Sequence, residues 1–209
     1  MSVGWALLVA GAVAATPARS WHSAVRELTT EEVAAMTGVV WRPGCPVALG
    51  DLVRVEVALA SPDGSGGEGA IVVHRSAAEV VEGALHTLWE LDFPIARMEP
   101  IEAYGGDDTR SMEANNSSGF NCRPKTGGGG WSRHSYGTAV DLNPLWNPWV
   151  KGERVEPAAA RPWADRMDKK VGMFLRESTA VRAFTDRGWR WGGSWGSAKD
   201  YQHFSADGT

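Results

Sequence analysis

Between positions 53 and 59, Val53, Val55, Val57 and Leu59 alternate with Arg54, Glu56 and Ala58. A period of two is that of a half-buried strand. The Pro/Gly/Ser-rich stretch from Ser61 leads into a second apolar run, 70–74, and the two segments read as a hairpin. The period then changes. Val80, Ala84, Leu85, Leu88 and Leu91 recur at helical spacing, which predicts an amphipathic helix packed on the hairpin and opened by a capping box from Ser76 to Glu79. Another capping box, Thr29 with Glu32, opens a short helix over 31–36 that Gly38 ends. Segments 93–98 and 138–142 read as strands, part of 162–175 as a helix, and 189–191 and 202–205 as closing strands. A helix over 180–187 begins at Ser178 or Thr179 and stops before Gly188. Helices and mostly antiparallel strands in mixed order, with no repeating strand-helix-strand unit, give the α+β class.

With 209 residues the chain suits one well-cored domain rather than two small ones. A net charge of −4 and the lack of a basic stripe argue against a nucleic-acid partner. The apolar run 3–15 is too short to span a bilayer and has the length of a signal-peptide core. Thr16-Pro17-Ala18 supplies the small residues of a cleavage point before Arg19, so export is expected. Cys45 lies in a Pro-Gly-Cys-Pro turn and Cys122 lies far along the chain. In an oxidising compartment they could close one long loop as a disulfide, and two free buried thiols are the alternative. The 25 glycines cluster in loops, while several of the 11 tryptophans stand beside polar motifs, which suggests an aromatic-walled site framed by turns. From 105 to 133 the chain is polar and rich in Gly, Asn and Ser, longer than ordinary connections. It is either a functional loop or disordered, and its motif content favours function.

The chemistry concentrates in SRHSYGTAVDLNP, 132–144, and in DYQHF, 200–204. Asp141 between Val140 and Leu142 is costly in a buried strand unless it is paired or bound to a metal. Alternation puts Ala139, Asp141 and Asn143 on one face, and Gly137 lets the preceding turn fold His134 back toward it. His203 sits on a second short strand, three residues after Asp200. Two imidazoles and one carboxylate suit zinc, and three protein ligands leave a fourth position for water, the catalytic pattern. His22, His74 and His86 lack such context and receive no catalytic part.

SxHxxGxAxD followed near the C-terminus by DxxHF resembles the zinc D-alanyl-D-alanine carboxypeptidase and L-alanyl-D-glutamate endopeptidase family. SMEANNSSGFNCR upstream and WRWGGSW between the motifs look like its actinobacterial-type extracellular members. The resemblance spans roughly 43–205. It implies a compact α+β fold shared with the Hedgehog signalling domain, and a chain divided into a leader (1–18), an N-terminal extension (19–42) and a catalytic domain (43–209). It also implies a Zn2+ cofactor on His134, Asp141 and His203, and peptidoglycan stem peptides as substrate. Asp200 holds the position of the family's proton-transferring Glu or Asp, here in the shorter form found in endopeptidase-like members. Arg123 matches the arginine that stabilises the oxyanion, and Ser132 matches a serine that orients substrate or neighbouring groups. Trp189, Trp191 and Trp195 are expected to line the cleft. The expected activity is carboxypeptidase-like, with an endopeptidase or a non-catalytic zinc module of the same fold as alternatives. A secreted or wall-associated monomer is expected.

Overall fold

The computed structural model describes residues 19–125 and 128–208, so the apolar leader lies outside the described residues. Strands β1 (Ser23–Glu27), β2 (Leu52–Leu59) and β3 (Gly67–His74) form an antiparallel sheet in that order. The 19–42 segment therefore contributes a strand to the sheet, and it also supplies helix α1 (Thr30–Met36), whose Thr29–Glu32 capping box is formed. Helix α2 (Ala78–Glu90) buries Val81, Ala84, Leu85 and Leu88. These pack in one core with Val53, Val55 and Val57 of β2 and Ile71 and Val73 of β3. The alternation that predicted the hairpin thus feeds that core.

Beyond α2 come β4 (Arg97–Met98), helix α3 (Asp108–Glu113), β5 (Asn116–Ser117), β6 (Ala139–Asp141), β7 (Trp149–Lys151) and β8 (Arg154–Glu156). Helix α4 (Thr179–Thr185), β9 (Arg190–Trp191), β10 (Lys199–Asp200) and β11 (His203–Ser205) complete the order. Strands β6, β11 and β9 form an antiparallel sheet in the order β6-β11-β9. Segment 118–120 bridges it to the first sheet: Ser118 exchanges backbone bonds with Asp141, and the Phe120 amide donates to the Val72 carbonyl. Val140, Leu142 and Phe204 join the main core, which leaves Asp141 and His203 on the opposite face. A smaller cluster of Met36, Val40, Leu52, Val72, Ile101, Phe120 and Cys122 fills the first sheet's second face. It is tied covalently by the Cys45–Cys122 disulfide, which decides between the two thiol states left open by the sequence. The architecture is α+β with mostly antiparallel sheets.

Several expected elements differ. Ser76 does not cap α2, because its hydroxyl and amide are both engaged by His74 Nδ1 at a preceding 3₁₀ turn. Leu91 lies past the helix and is exposed. Of 93–98 only β4 is strand: the Ala96 amide and the Pro94 carbonyl bond to the Asn143 side chain instead of a ladder. No α-helix forms over 162–175. The carbonyls of Trp163 and Phe174 are taken by the Arg166 guanidinium, and Gly172, at φ 84°, packs its backbone against the Trp146 ring. The described part of 105–133 contains α3 and β5 and is hydrogen-bonded to the β1-β2-β3 and β6-β11-β9 sheets. Among the described residues no helix is long and apolar enough to cross a membrane.

Candidate metal centre

The ladder between β6 and β11 sets His203 opposite Asp141. Cross-strand partners share a face, and His203 Nδ1 lies 2.9 Å from Asp141 Oδ1. The third group arrives on the 3₁₀ turn Arg133–Tyr136. Ser132 caps this turn by accepting from the His134 amide, and Gly137 ends it in the left-handed conformation. A Cβ at 137 would lie 2.4 Å from the His74 amide nitrogen, so both space and dihedral demand glycine there. The turn brings His134 Nε2 to 3.2 Å from Asp141 Oδ2 and 3.3 Å from His203 Nδ1.

The protonation pattern tests whether these groups suit a cation. His134 Nδ1 is 2.7 Å from the Gly119 carbonyl oxygen, which can only accept, so Nδ1 carries the proton and a neutral ring presents its Nε2 lone pair to the site. That lone pair faces a carboxylate oxygen and a second imidazole nitrogen, an arrangement that is repulsive unless a cation or an extra proton stands among them. Both histidines are buried. Burial alone would raise the pKa of Asp141, but positive charge placed among the facing groups, as on a protonated His134 when no metal is bound, and hydrogen bonds from the two imidazoles outweigh it and hold the carboxyl well below the usual range. The spacings of 2.9–3.3 Å approach the edge of about 3.3 Å expected for a tetrahedron of ligands at about 2.0–2.1 Å from an ion. His134, Asp141 and His203 could thus hold a metal ion, with a position left over for a water or substrate atom.

Asp200 stands close by. A Cβ added at Gly192 would meet Asp200 Cβ at 2.8 Å and His203 Cβ at 3.2 Å, so the glycine lets both side chains pack against one spot. Asp200 Oδ1 is out of solvent and has no hydrogen-bond partner. Burial first, and then the charge of Asp141, push its pKa up to about 7. Oδ1 is thus an open acceptor beside the three candidate metal donors, while the Gln202 side chain engages the carboxyl elsewhere.

The other expected site residues are placed less uniformly. The Arg123 amide donates to Ser135 Oγ at 2.9 Å, which laces its backbone to the turn of His134, while its guanidinium pairs with Asp108. Asn121 holds the other oxygen of that aspartate. Ser132 acts on the His134 turn. Trp189 and Trp191 are only 6% and 4% exposed and belong to the main core, so they offer a cleft little surface. Trp195 is the aromatic against the metal donors, its ring centroid 5.5 Å from that of His203. The three tryptophans together line a recess of about 410 Å³ with Arg190 and Ser194. His22 pairs with Glu68, His74 caps a turn and His86 stacks on Trp21, all apart from the triad. Sequence reasoning missed Gly119, Asp108 and Gly192. The glycine pair in WGGSW was the one visible hint.

No curated protein and no solved structure matches the chain. Residues 126–206 match the family model described as D-alanyl-D-alanine carboxypeptidase, a span that includes His134, Asp141, Asp200 and His203, and the match supports the family resemblance of the motifs and a peptidase.

Proposed function

We propose that the chain is a zinc-dependent metallopeptidase that hydrolyses peptidoglycan stem peptides in the manner of a D-alanyl-D-alanine carboxypeptidase. The observation that carries the reading is the convergence of His134 Nε2, His203 Nδ1 and the Asp141 carboxylate on one point. The family description of residues 126–206 supports the choice of bond. Zinc held by these three side chains would polarise the scissile carbonyl and acidify a water molecule.

Asp200 takes the water proton and hands it to the leaving amine. Burial pushes this carboxyl up to about 7 before a metal binds, and a neighbouring dication would draw it lower, so the group can take a proton and still give it up. Its unpartnered Oδ1 leaves that oxygen free for the task. Arg123, anchored by Asp108, supplies positive charge for the oxygen on which negative charge develops. Ser132 keeps the His134 turn in shape, and Trp195, with the small exposed part of Trp189 and Trp191, offers apolar surface to the substrate.

The shorter acid at position 200 favours an L-alanyl-D-glutamate endopeptidase as second reading. Export to an oxidising compartment is supported by the Cys45–Cys122 disulfide and by the apolar leader. Incubating the zinc-loaded protein with defined stem peptides and weighing the fragments distinguishes the readings. Release of a terminal D-alanine is expected. Cleavage between L-alanine and D-glutamate would select the second reading, and no cleavage with zinc bound would make the chain a non-catalytic zinc module.

A further inference from the structure

Asp200 Oδ1 has no hydrogen-bond partner and the carboxyl is engaged by the neighbouring Gln202 side chain, so its aim depends largely on the backbone that carries both residues. For Asp200 that backbone is β10, which among the described residues pairs with β7 alone, with Asp200 opposite Trp149. Strand β7 belongs to the sheet β10-β7-β8, whereas Asp141 and His203 belong to β6-β11-β9. Asp200 is joined to His203 through Tyr201 and Gln202 and both pack on Gly192, and beyond that short link its distance to the metal donors depends on how the segment after β6 is fastened.

The fastening converges on Arg166. Its Nη1 donates to the carbonyls of Trp146 at 2.9 Å and Trp163 at 3.1 Å, and its Nη2 donates to Asn147 Oδ1 and the Phe174 carbonyl, each at 2.8 Å. The guanidinium also lies 4.5 Å from the ring centroid of Tyr201, the residue after Asp200. Tyr201 is held on both sides of its backbone: its amide donates to the Pro148 carbonyl, and its own carbonyl accepts from the Trp191 indole. At the other end Asn147, fully buried, donates to the carbonyls of Leu142, Asn143 and Gly172. One cation thus ties the chain leaving Asp141 to the residue after Asp200. Only a planar fork of several donors can make these bonds at once while stacking on a ring, which an ammonium cannot do.

We propose that Arg166 is a positioning residue that sets Asp200 against the metal donors, acting through Tyr201 and Asn147. The proposal rests on the reading of Asp200 as the proton-transferring group. Its test compares wild-type protein with Arg166→Met, Arg166→Lys and Tyr201→Leu, each loaded with zinc and assayed on a stem peptide. For Arg166→Met, kcat is expected to fall roughly 100-fold while KM and the one-zinc stoichiometry hold, the pattern of a misplaced reacting group. Arg166→Lys should recover little. Tyr201→Leu, which keeps the hydrogen bonds and removes only the ring under the cation, should lose about tenfold in kcat, and it carries the test should Arg166→Met not fold.

Unchanged kcat in Arg166→Met, full recovery by lysine, or a loss of kcat that tracks loss of zinc would each overturn the proposal. A second readout needs no turnover: a crystal structure of zinc-loaded Arg166→Met should show Tyr201 and the Asp200 carboxyl shifted from their wild-type positions relative to His134, Asp141 and His203. A carboxyl left in place overturns the positioning role. If wild type binds zinc yet cleaves nothing, the peptidase reading fails instead, and this structural comparison decides the role of Arg166.

Discussion

The Asp200→Asn substitution removes a titratable group while keeping the shape of the side chain, so it isolates what the carboxyl costs the fold and what it gives the reaction. In the metal-free protein Asp200 has a pKa of about 7 against an ordinary 3.8. The folded state therefore binds its proton more tightly than the unfolded chain does. The penalty is absent below pH 3.8, grows as the pH rises between these two values, and is complete above 7. At about 1.4 kcal/mol per pH unit the ceiling is about 4 kcal/mol. Urea unfolding of chelator-treated wild type and variant should show near-equal stability around pH 4 and a more stable variant at pH 8.5. With zinc restored, the variant should keep its metal and lose at least about 100-fold in stem-peptide hydrolysis. A stability difference that ignores pH, or a variant less stable at pH 8.5, would refute the burial of this carboxyl. Retained hydrolysis would refute its role as base.

Other outcomes follow from the same geometry. His203→Ala removes one of three donors and should weaken zinc at least about 100-fold by competition with a chelating dye, since two remaining ligands make a poor site. Gly137→Ala forces a Cβ to within 2.4 Å of the His74 amide nitrogen at φ 65°. It should cost about 2 kcal/mol or more in chemical unfolding and lower zinc affinity with it. Replacing both Cys45 and Cys122 with alanine opens a link across 77 residues, and a loss of about 4 kcal/mol is expected from chain entropy, read by urea unfolding. In the zinc-loaded enzyme the neighbouring dication favours the Asp200 anion, so kcat/KM should fall on acidification with a midpoint below about 7, and Asp200→Asn should lack that limb.

The candidate metal site was legible in part because some of its logic is local. Asp141 interrupts an apolar alternation that aims it away from the core, and Gly137 marks the turn before it, whereas His203 was joined to them by its motif and the family resemblance. The β2–β3 hairpin and α2 were legible from local periodicity. Elements stabilised by remote side chains were not. The backbone of 94–96 bonds to Asn143, and the carbonyls of Trp163 and Phe174 to Arg166, so intrinsic propensity was overridden by partners far along the chain. Strands β1, β7 and β10 are short or weakly alternating and exist because a neighbour supplies their ladder. Trp189 and Trp191 illustrate a further limit: position beside a motif does not distinguish a cleft aromatic from a core one, and burial put both in the core while leaving Trp195 against His203.

The most direct measurement adds zinc in steps to metal-free protein and follows hydrolysis of a defined stem peptide. Activity should rise linearly, break at one equivalent of zinc per chain, and stay absent in a parallel titration of His134→Ala. Hydrolysis that needs no metal, or a chain that takes up one zinc and cleaves no stem peptide, would contradict the proposed catalytic zinc site on His134, Asp141 and His203.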